Sequence, residues 1–441
     1  MKSPLGKVPT DWGLSRLGDI TVKIGSGATP LGGEQVYLAT RHRYALIRSQ
    51  AVHDHFLDLG ALSYITDDDA RRLANAEVRI GDVLLNITGD GKTFGRASLA
   101  PDEALPACVN QHVSIIRTDP DKLAPGFLLS YLTHPQIKGY IESFNAGGSR
   151  RAITKGHIES FVIPLPPLPE QKEISSLFGS INAKLELNRR TNETLEELIR
   201  AIFKDWFVDF GPTRAKAEKR DPYLAQELWT LFPGRLDDND KPQGWKEGRL
   251  GDVARSVGES VKPNEMSPET PYIGLEHMPR HSIALNSWEG AGKVTSGKLT
   301  FHRGDFLFGK LRPYFHKVGI APLDGICSTD ILVLGPKTPS AAAFVLSCIS
   351  TDEFVAYTDQ TSGGTKMPRT SWEVMARYPL CLPSEQVSQA FQRTVAPMLD
   401  RIILNIHESS SLAKTRDVLL PKLMSGEIRL REAEKLVRKV S

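Results

Sequence analysis

Lysine and arginine side chains gather in glycine-rich segments of this 441-residue chain, and they are well suited to bind phosphate or base edges. Glycine lets backbone N–H groups approach an anion, and arginine can form two hydrogen bonds to guanine in the major groove. A solvated surface explains any single cluster, but recurrence at matching places in both halves favours a nucleic acid as the partner. The candidate DNA-binding residues are Arg41, Arg43, Arg48, Lys92, Arg96, Arg150, Arg151 and Lys155 in the first half, and Lys293, Lys298, Lys310, Arg312, Lys317, Lys366 and Arg369 in the second.

Known catalytic motifs are absent from the sequence. It contains no G-x-S-x-G, no H-E-x-x-H, no G-x-G-x-x-G after a predicted strand, and no Asn-Pro-Pro-aromatic tetrapeptide. Residues 292–298 have the spacing of a phosphate-binding loop, but Leu299 replaces the Ser or Thr that would hold magnesium. We therefore predict a non-catalytic chain that binds no cofactor itself.

Histidines and acidic residues lie together near residue 55, which raises the question of a metal site. His53 and His55 stand beside Asp54 and Asp58, yet the 11 histidines show no ligand spacing with an open position. We interpret these residues as surface groups and predict no metal site.

Composition indicates an ordinary globular protein. Hydrophobic residues make up 40% and charged residues 24%, and the net charge is only +3, so any basic surface must be local. The four cysteines form no C-x-x-C pair, and no apolar run is long enough to cross a membrane. The start lacks the apolar region of a signal peptide. We expect a cytoplasmic protein of two or three domains.

The chain repeats itself, as several landmarks return in the same order. The motif W-x4-L-G-D occurs at Trp12 and again at Trp245. The segment 81–84 (GDVL) returns as 304–307 (GDFL), and the glycine pair at 147–148 returns at 363–364. The dipeptide Glu-Gln at 170–171 returns at 385–386. This order predicts two similar β-rich domains, each followed by a helical segment.

Each helical segment carries an apolar seam with heptad spacing and a polar centre. The first seam comprises Ile174, Phe178, Ile181, Leu185, Asn188, Asn192, Leu195, Ile199, Ile202 and Trp206. Adding 217 to each position gives Phe391, Val395, Met398, Ile402, Asn405, Ser409, Leu412, Arg416, Leu419 and Leu423, with Arg416 as the one mismatch. The shared register predicts an antiparallel coiled coil, in which Asn188 faces Ser409 and Asn192 faces Asn405.

Two features qualify this pairing. Pro397 lies inside the second seam, where a proline removes one helical hydrogen bond, so we expect a bend. Alternatively, the two amphipathic helices lie on their own domains, although helices this long would then leave much of each seam exposed.

The resulting fold class is α+β, with two β-rich domains alternating with two long helices and related by pseudo-twofold symmetry. The predicted segments are a first domain at 1–165, a first long helix at 166–210, a connector at 211–241, a second domain at 242–383, and a second long helix with a C-terminal tail at 384–441.

The order of these motifs resembles the specificity subunits of type I restriction-modification enzymes over essentially the whole chain. The segments that carry the resemblance are residues 27–30 (GATP), 165–171 (LPPLPEQ), 206–212 (WFVDFGP), 304–313 (GDFLFGKLRP) and 423–428 (LMSGEI). The first copy departs from this pattern because GDVLLNITGDGKTFG lacks the Lys-Leu-Arg-Pro of the second copy. A possible DNA contact of Arg312 therefore does not transfer to residues 86–92.

The resemblance implies a subunit that selects the DNA site for a larger enzyme. One domain would read each half of a bipartite target, two methyltransferase subunits that use S-adenosylmethionine would dock on the helices, and translocase-nuclease subunits would use ATP and Mg²⁺. Helices of roughly 50 Å, at about 1.5 Å per residue, would place the half-site centres within about 15 base pairs. The alternative function is a protein-binding scaffold of two modules without DNA affinity.

Overall fold

The computed structural model describes residues 2–6, 8–145, 151–363 and 367–437, apart from the side chains at 431, 434 and 436. Two compact units divide the chain. The first unit comprises Met1–Glu186 with Ser411–Ser441, and the second comprises Leu187–Ser410. The mixture of helices and sheets confirms the predicted α+β class.

Two long helices follow the two β-rich regions, as the heptad spacing predicts. The first long helix spans Leu168–Phe203 and continues as a π-helical turn, Lys204–Val208. The second long helix spans Glu385–Met424 and includes Pro397, and a shorter helix, Leu430–Val437, follows it. None of the predicted seam residues is exposed, because the seams pack into the cores of their units.

The polar centre of the seam sets an antiparallel register within the second unit. Asn188 donates from Nδ2 to Oγ of Ser409 at 3.2 Å, and Asn405 donates from Nδ2 to Oδ1 of Asn192 at 2.8 Å. These are the two pairs that the register predicts. Because Asn188 and Asn405 are 2% and 1% exposed, a shift in register would leave buried amides without partners.

Within its described residues, the first unit contains four small sheets. Strand Gly13–Arg16 pairs antiparallel with Val162–Leu165, and Thr88–Gly89 pairs with Arg151–Ala152. In order, the four-stranded sheet contains Thr21–Ser26, Val113–Thr118, Val83–Asn86 and Ala97–Leu99, and the three-stranded sheet contains Ser63–Ile65, Tyr44–Ile47 and Ala107–Val109.

The second unit repeats this topology. Strand Lys246–Arg249 pairs with Pro379–Leu382. In order, the four-stranded sheet contains Ala254–Ser256, Ile331–Pro336, Phe306–Gly309 and Val318–Ile320, and the five-stranded sheet contains Ser260–Val261, Lys298–Phe301, Gly325–Cys327, Pro271–Ile273 and Glu289–Gly290. In both units the last-named sheet contains one parallel pair, Tyr44–Ile47 with Ala107–Val109 and Pro271–Ile273 with Gly325–Cys327.

Three short helices recur in the same order: Pro125–Thr133, Pro135–Ser143 and Lys155–Glu159 in the first unit, and Ala342–Ile349, Asp352–Gln360 and Trp372–Met375 in the second. The first unit also contains Asp67–Arg72, and the second contains Leu250–Val253, which stands where the first unit has the 3-10 helix Leu17–Ile20. The similar tetrapeptides 127–130 (FLLS) and 344–347 (FVLS) fall on the buried helices Pro125–Thr133 and Ala342–Ile349.

The predicted connector is partly folded into the second unit. It contains the helices Gly211–Ala217 and Gln226–Trp229. Phe232 is 4% exposed and meets Trp206 edge to face, with ring centroids 5.0 Å apart. The connector therefore contributes to a packed aromatic cluster of the second unit. Among the described residues, no helix is both long and apolar enough to cross a bilayer.

His55 makes the first unit sensitive to acid. Its ring nitrogen Nδ1 lies 3.3 Å from the Asn182 amide, and Arg416 lies nearby. Burial, reinforced by the Arg416 charge, lowers the pKa of His55 from 6.5 to about 3. Below pH 6.5 His55 takes up a proton in the unfolded chain but stays neutral in the folded unit. Acidification therefore lowers the free energy of unfolding.

We predict that the first unit loses about 2 kcal/mol through His55 between pH 7.5 and pH 5. Hydrogen exchange of the first long helix measures this loss. In His55→Gln the loss should shrink by that amount, whereas the exposed-site control His42→Gln should behave as the wild type. Equal pH dependence in all three proteins would exclude this role for His55.

Candidate nucleic-acid interface

Three segments of the first unit meet beyond the end of strand Val83–Asn86. Thr88 and Gly89 pair with Ala152 and Arg151, and Oγ1 of Thr88 lies 2.6 Å from Nδ1 of His112. The Ile87 N–H donates to the His112 carbonyl at 3.0 Å. We call residues 88–92, 110–112 and 151–152 the first loop face.

The second unit builds the same junction from equivalent backbone contacts. The Lys310 N–H donates to the Asp330 carbonyl at 2.9 Å, and the Arg312 N–H donates to the Pro368 carbonyl at 2.8 Å. Leu311 bridges to Arg369 as Thr88 bridges to Ala152. We call residues 310–312, 328–330 and 367–369 the second loop face. Basic segments far apart in sequence are thus brought together in both units.

The two loop faces differ at their centre. The matching backbone contacts place Gly89 where the second unit has Arg312. Arg312 adopts a left-handed conformation, with φ of 52°, and its Nε is buried without a hydrogen-bond partner. Non-glycine residues rarely adopt this conformation without a constraint from their surroundings. The second face therefore presents a guanidinium where the first presents only backbone.

On each face, an acidic side chain forms an ion pair with one of the basic residues. Arg151 contacts Glu142 at 2.7 Å, and Arg369 contacts Asp330 at 3.1 Å. Lys92 is exposed, and its ammonium forms no ion pair within the described part of the chain. Lys92, Arg151, Lys310, Arg312 and Arg369 are the predicted residues that the structure gathers on the loop faces.

The structure gives two predicted DNA-binding residues partners within the fold. The guanidinium of Arg41 donates to the carbonyls of residues 103, 104 and 105, so it holds a loop. Lys298 is 8% exposed, and its ammonium donates to Oγ of Ser296 at 2.7 Å. Both side chains use their donors inside the fold, which leaves little for a phosphate.

The other predicted residues that the structure describes lie outside the loop faces. Lys317 donates to the Leu275 carbonyl, and burial, followed by the charge of Arg280, lowers its pKa. Arg96 lies 3.4 Å from a His53 ring nitrogen, and Lys293 is exposed. Ion pairs join Arg43 to Asp67, Arg48 to Glu34 and Lys155 to Glu159. Arg150 and Lys366 fall outside the described residues.

Sequence reasoning missed neutral polar residues on the first loop face. Gln111 is exposed, and its side chain contacts Thr29. Gln111 and His112 carry both donors and acceptors, which base edges require. The segment that carries Thr29 can approach Gln111 because residue 27 is glycine. A Cβ at Gly27 would lie 1.8 Å from the Val109 carbonyl oxygen. The search for basic clusters could not detect such neutral side chains.

Sequence reasoning also missed a cluster in the second unit. His281, His316 and Asp352 place one ligand-type atom each within 4.8 Å of one another. Burial, followed by the charge of His281, lowers the pKa of His316. The sequence predicts no metal site, because these residues lie far apart along the chain.

Comparison with known proteins finds similar sequences over most of the chain. The family model of the type I restriction modification DNA specificity domain matches residues 9–197. The chain is 22% identical to the type I restriction enzyme MjaIX specificity subunit of Methanocaldococcus jannaschii, over 98% of this chain and 96% of that protein. It is 23% identical to the type I restriction enzyme HindI specificity subunit of Haemophilus influenzae, over 80% and 88% of the two chains.

A solved structure agrees on the fold. The type I restriction-modification system S subunit from M. genitalium superposes with a TM-score of 0.57 at 15% identity, over 96% of this chain and 99% of that one. The chain is therefore similar in sequence to type I restriction enzyme specificity subunits, and its fold is similar to that of a solved S subunit.

Proposed function

We propose that this chain recognises double-stranded DNA for a type I restriction-modification complex and that each loop face reads one half of a bipartite target. The observation that carries the proposal is the duplicated junction, which gathers Lys92 and Arg151 in one unit and Lys310, Arg312 and Arg369 in the other. Two related faces with different side chains suit two half-sites with different sequences. The match of residues 9–197 to the DNA specificity domain model supports the DNA partner.

The side chains on the faces divide into two roles. Lys92 is exposed on a glycine-flanked turn, as expected of a residue that contacts phosphate. Arg312 can hydrogen-bond two acceptors of guanine, and Gln111 can pair with adenine. If Arg312 reads bases and Lys92 contacts phosphate, replacing each residue should change DNA binding in a different way.

Binding assays with the full chain and its methyltransferase partner test this division. We expect Arg312→Ala to cost about 1–3 kcal/mol and to relax specificity at positions of one half-site. We expect Lys92→Ala to weaken binding to all sequences and to reduce the slope of log affinity against log salt by about 1. The measurement is affinity for a randomised duplex library at several salt concentrations.

Matched controls remove other exposed arginines. Arg377→Ala and Arg72→Ala lie outside the loop faces and should keep wild-type affinity and specificity. An Arg312→Ala protein that recognises both half-sites unchanged would refute the assignment of the second face. Salt-independent or absent DNA binding by the wild type would favour the alternative, a protein-binding scaffold.

We also propose that methyltransferase subunits dock on the long helices. Leu187 is 57% exposed, and Leu404, its counterpart 217 residues later, is 55% exposed. Exposed leucines at equivalent positions of two helices suit two copies of one partner. The methyl donor, ATP and Mg²⁺ would then belong to partner subunits, and this chain would act in the cytoplasm without a catalytic site of its own.

Native mass spectrometry of the assembled complex tests the docking proposal. Leu187→Glu and Leu404→Glu should each remove one methyltransferase subunit, and the double variant should remove both. Ile80→Glu, at another exposed aliphatic residue, should retain two subunits. Retention of two subunits by the double variant would contradict docking at these leucines.

A further inference from the structure

Three potential metal ligands converge beside a cavity in the second unit. Oδ1 of Asp352 lies 3.1 Å from Nδ1 of His316 and 3.8 Å from Nδ1 of His281. The two imidazole rings have centroids 4.4 Å apart. Two atoms bound to one tetrahedral zinc ion at about 2.0–2.1 Å lie about 3.3 Å apart, so these distances fit a shared ion.

The backbone holds both histidines in place at a conformational cost. His281 and His316 have φ of 55° and 49°, in the left-handed region that side chains other than glycine rarely adopt. The His281 N–H donates to the His316 carbonyl at 3.0 Å. Such conformations cluster where function requires a fixed side-chain position.

The hydrogen bond at Nε2 of His316 indicates which ring nitrogen is available to bind a cation. Nε2 of His316 lies 3.0 Å from the Ser350 carbonyl oxygen, so Nε2 carries a proton and donates it. A second-shell bond of this kind commonly orients a metal-bound histidine. In the neutral ring, the lone pair of Nδ1 then points at the Asp352 carboxylate, and a cation between them would relieve the repulsion. The alternative is a charged imidazolium, which is costly for a side chain only 8% exposed.

The adjacent cavity leaves room for a further ligand. Its volume is about 490 Å³, and its lining includes all three residues together with Ser347, Arg200 and Lys204. Oγ of Ser347 is buried without a hydrogen-bond partner. A metal-bound water can therefore occupy the fourth position on the cavity side.

The first unit closes the equivalent junction with an ion pair. There Lys138 contacts Asp54 at 2.6 Å and also donates to the Gly95 carbonyl. By strand register Gly95 corresponds to His316, and Lys138 and Asp352 lie on the equivalent helices Pro135–Ser143 and Asp352–Gln360. In the second unit the position of Gly95 is taken by His316, and the equivalent helix begins with Asp352.

We propose that His281, His316 and Asp352 bind one zinc-like divalent ion through two imidazole nitrogens and one carboxylate, with water as the fourth ligand. The ion joins the loop at His281, the segment before strand Val318–Ile320 and the start of helix Asp352–Gln360. Its role is structural, because it replaces the Lys138–Asp54 ion pair of the first unit.

Zinc titration of the tag-free, metal-stripped full chain tests the proposal. We expect one equivalent of zinc per chain, a higher melting temperature for the second unit, and tetrahedral absorption bands when Co²⁺ is substituted. His281→Ala and Asp352→Asn alter side chains that are 64% and 83% exposed, so the variants should fold. Each should weaken zinc binding by more than about tenfold.

The control is His302→Ala, a histidine with an 80% exposed side chain in the same unit, which should bind zinc as the wild type does. A wild-type chain that binds no zinc would establish the imidazolium–carboxylate pair in place of a metal site. Zinc binding that survives His281→Ala and Asp352→Asn unchanged would place the ion elsewhere and also overturn the proposal.

Discussion

Replacement of Arg117 by methionine should lower the free energy of unfolding of the first unit by about 3–5 kcal/mol. Arg117 donates from Nε and Nη2 to the two carboxylate oxygens of Asp82, at 2.8 and 2.7 Å. The Asp82 side chain is 1% exposed. Methionine keeps the aliphatic bulk of the residue but leaves a buried carboxylate without its counter-charge, which explains the large effect.

The second unit supplies the control. There Asp305 occupies the position of Asp82, and Gly335 occupies the position of Arg117 in the strand register. Asp305 is half-buried and accepts a hydrogen bond from the His302 N–H at 2.7 Å. Asp305→Asn should therefore cost much less than Arg117→Met. Hydrogen exchange of strands Val83–Asn86 and Phe306–Gly309 measures both effects, and comparable losses would show that the ion pair has no special role.

Truncation of Phe391 to alanine should destabilise the second unit by about 3–5 kcal/mol. Phe391 is fully buried, and its ring lies 5.7 Å from Trp206 and 4.9 Å from Phe207, centroid to centroid. These rings join the end of the first long helix to the start of the second. The variant therefore removes both buried apolar area and an aromatic contact between the helices.

Chemical denaturation followed by near-ultraviolet circular dichroism reports this loss through Trp206. The matched control is Leu404→Ala on the same helix, which should change stability by about 0.5 kcal/mol or less because Leu404 is 55% exposed. A Phe391→Ala protein as stable as this control would contradict the pairing of the two helices in the second unit.

The helical pairing could be predicted because heptad spacing and the placement of polar residues are visible along the chain. The contacts of Asn188 with Ser409 and of Asn192 with Asn405 follow from one assumed antiparallel register. The mismatch at Arg416 also has a structural explanation, since its guanidinium donates to Oδ1 of Asn182 at 3.3 Å.

The candidate interface was only partly predictable, because the type of a residue does not show whether its side chain is buried or which groups it contacts. In the sequence, Arg41 has the features of a phosphate-binding residue, yet its guanidinium donates to three backbone carbonyls. Lys298 lies in a glycine-rich segment but is buried. Gln111 contributes no charge and was therefore overlooked, although it lies on the first loop face.

Side-chain clusters assembled from distant segments had no sequence signature at all. Arg117 and Asp82 meet across paired strands, and His281, His316 and Asp352 come from a loop, a turn and a helix start. Only the strand register brings such residues together. The same register shows that Gly89 holds the position that Arg312 occupies in the second unit, a correspondence hidden by the different lengths of the two copies.

Genome-wide mapping of methylated bases in cells that express this chain with its methyltransferase tests the central claim most directly. We expect a motif of two specific half-sites separated by a fixed gap, and in Arg312→Ala a change confined to one half-site. A single continuous motif, or changes in both half-sites upon Arg312→Ala, would contradict recognition by two separate loop faces.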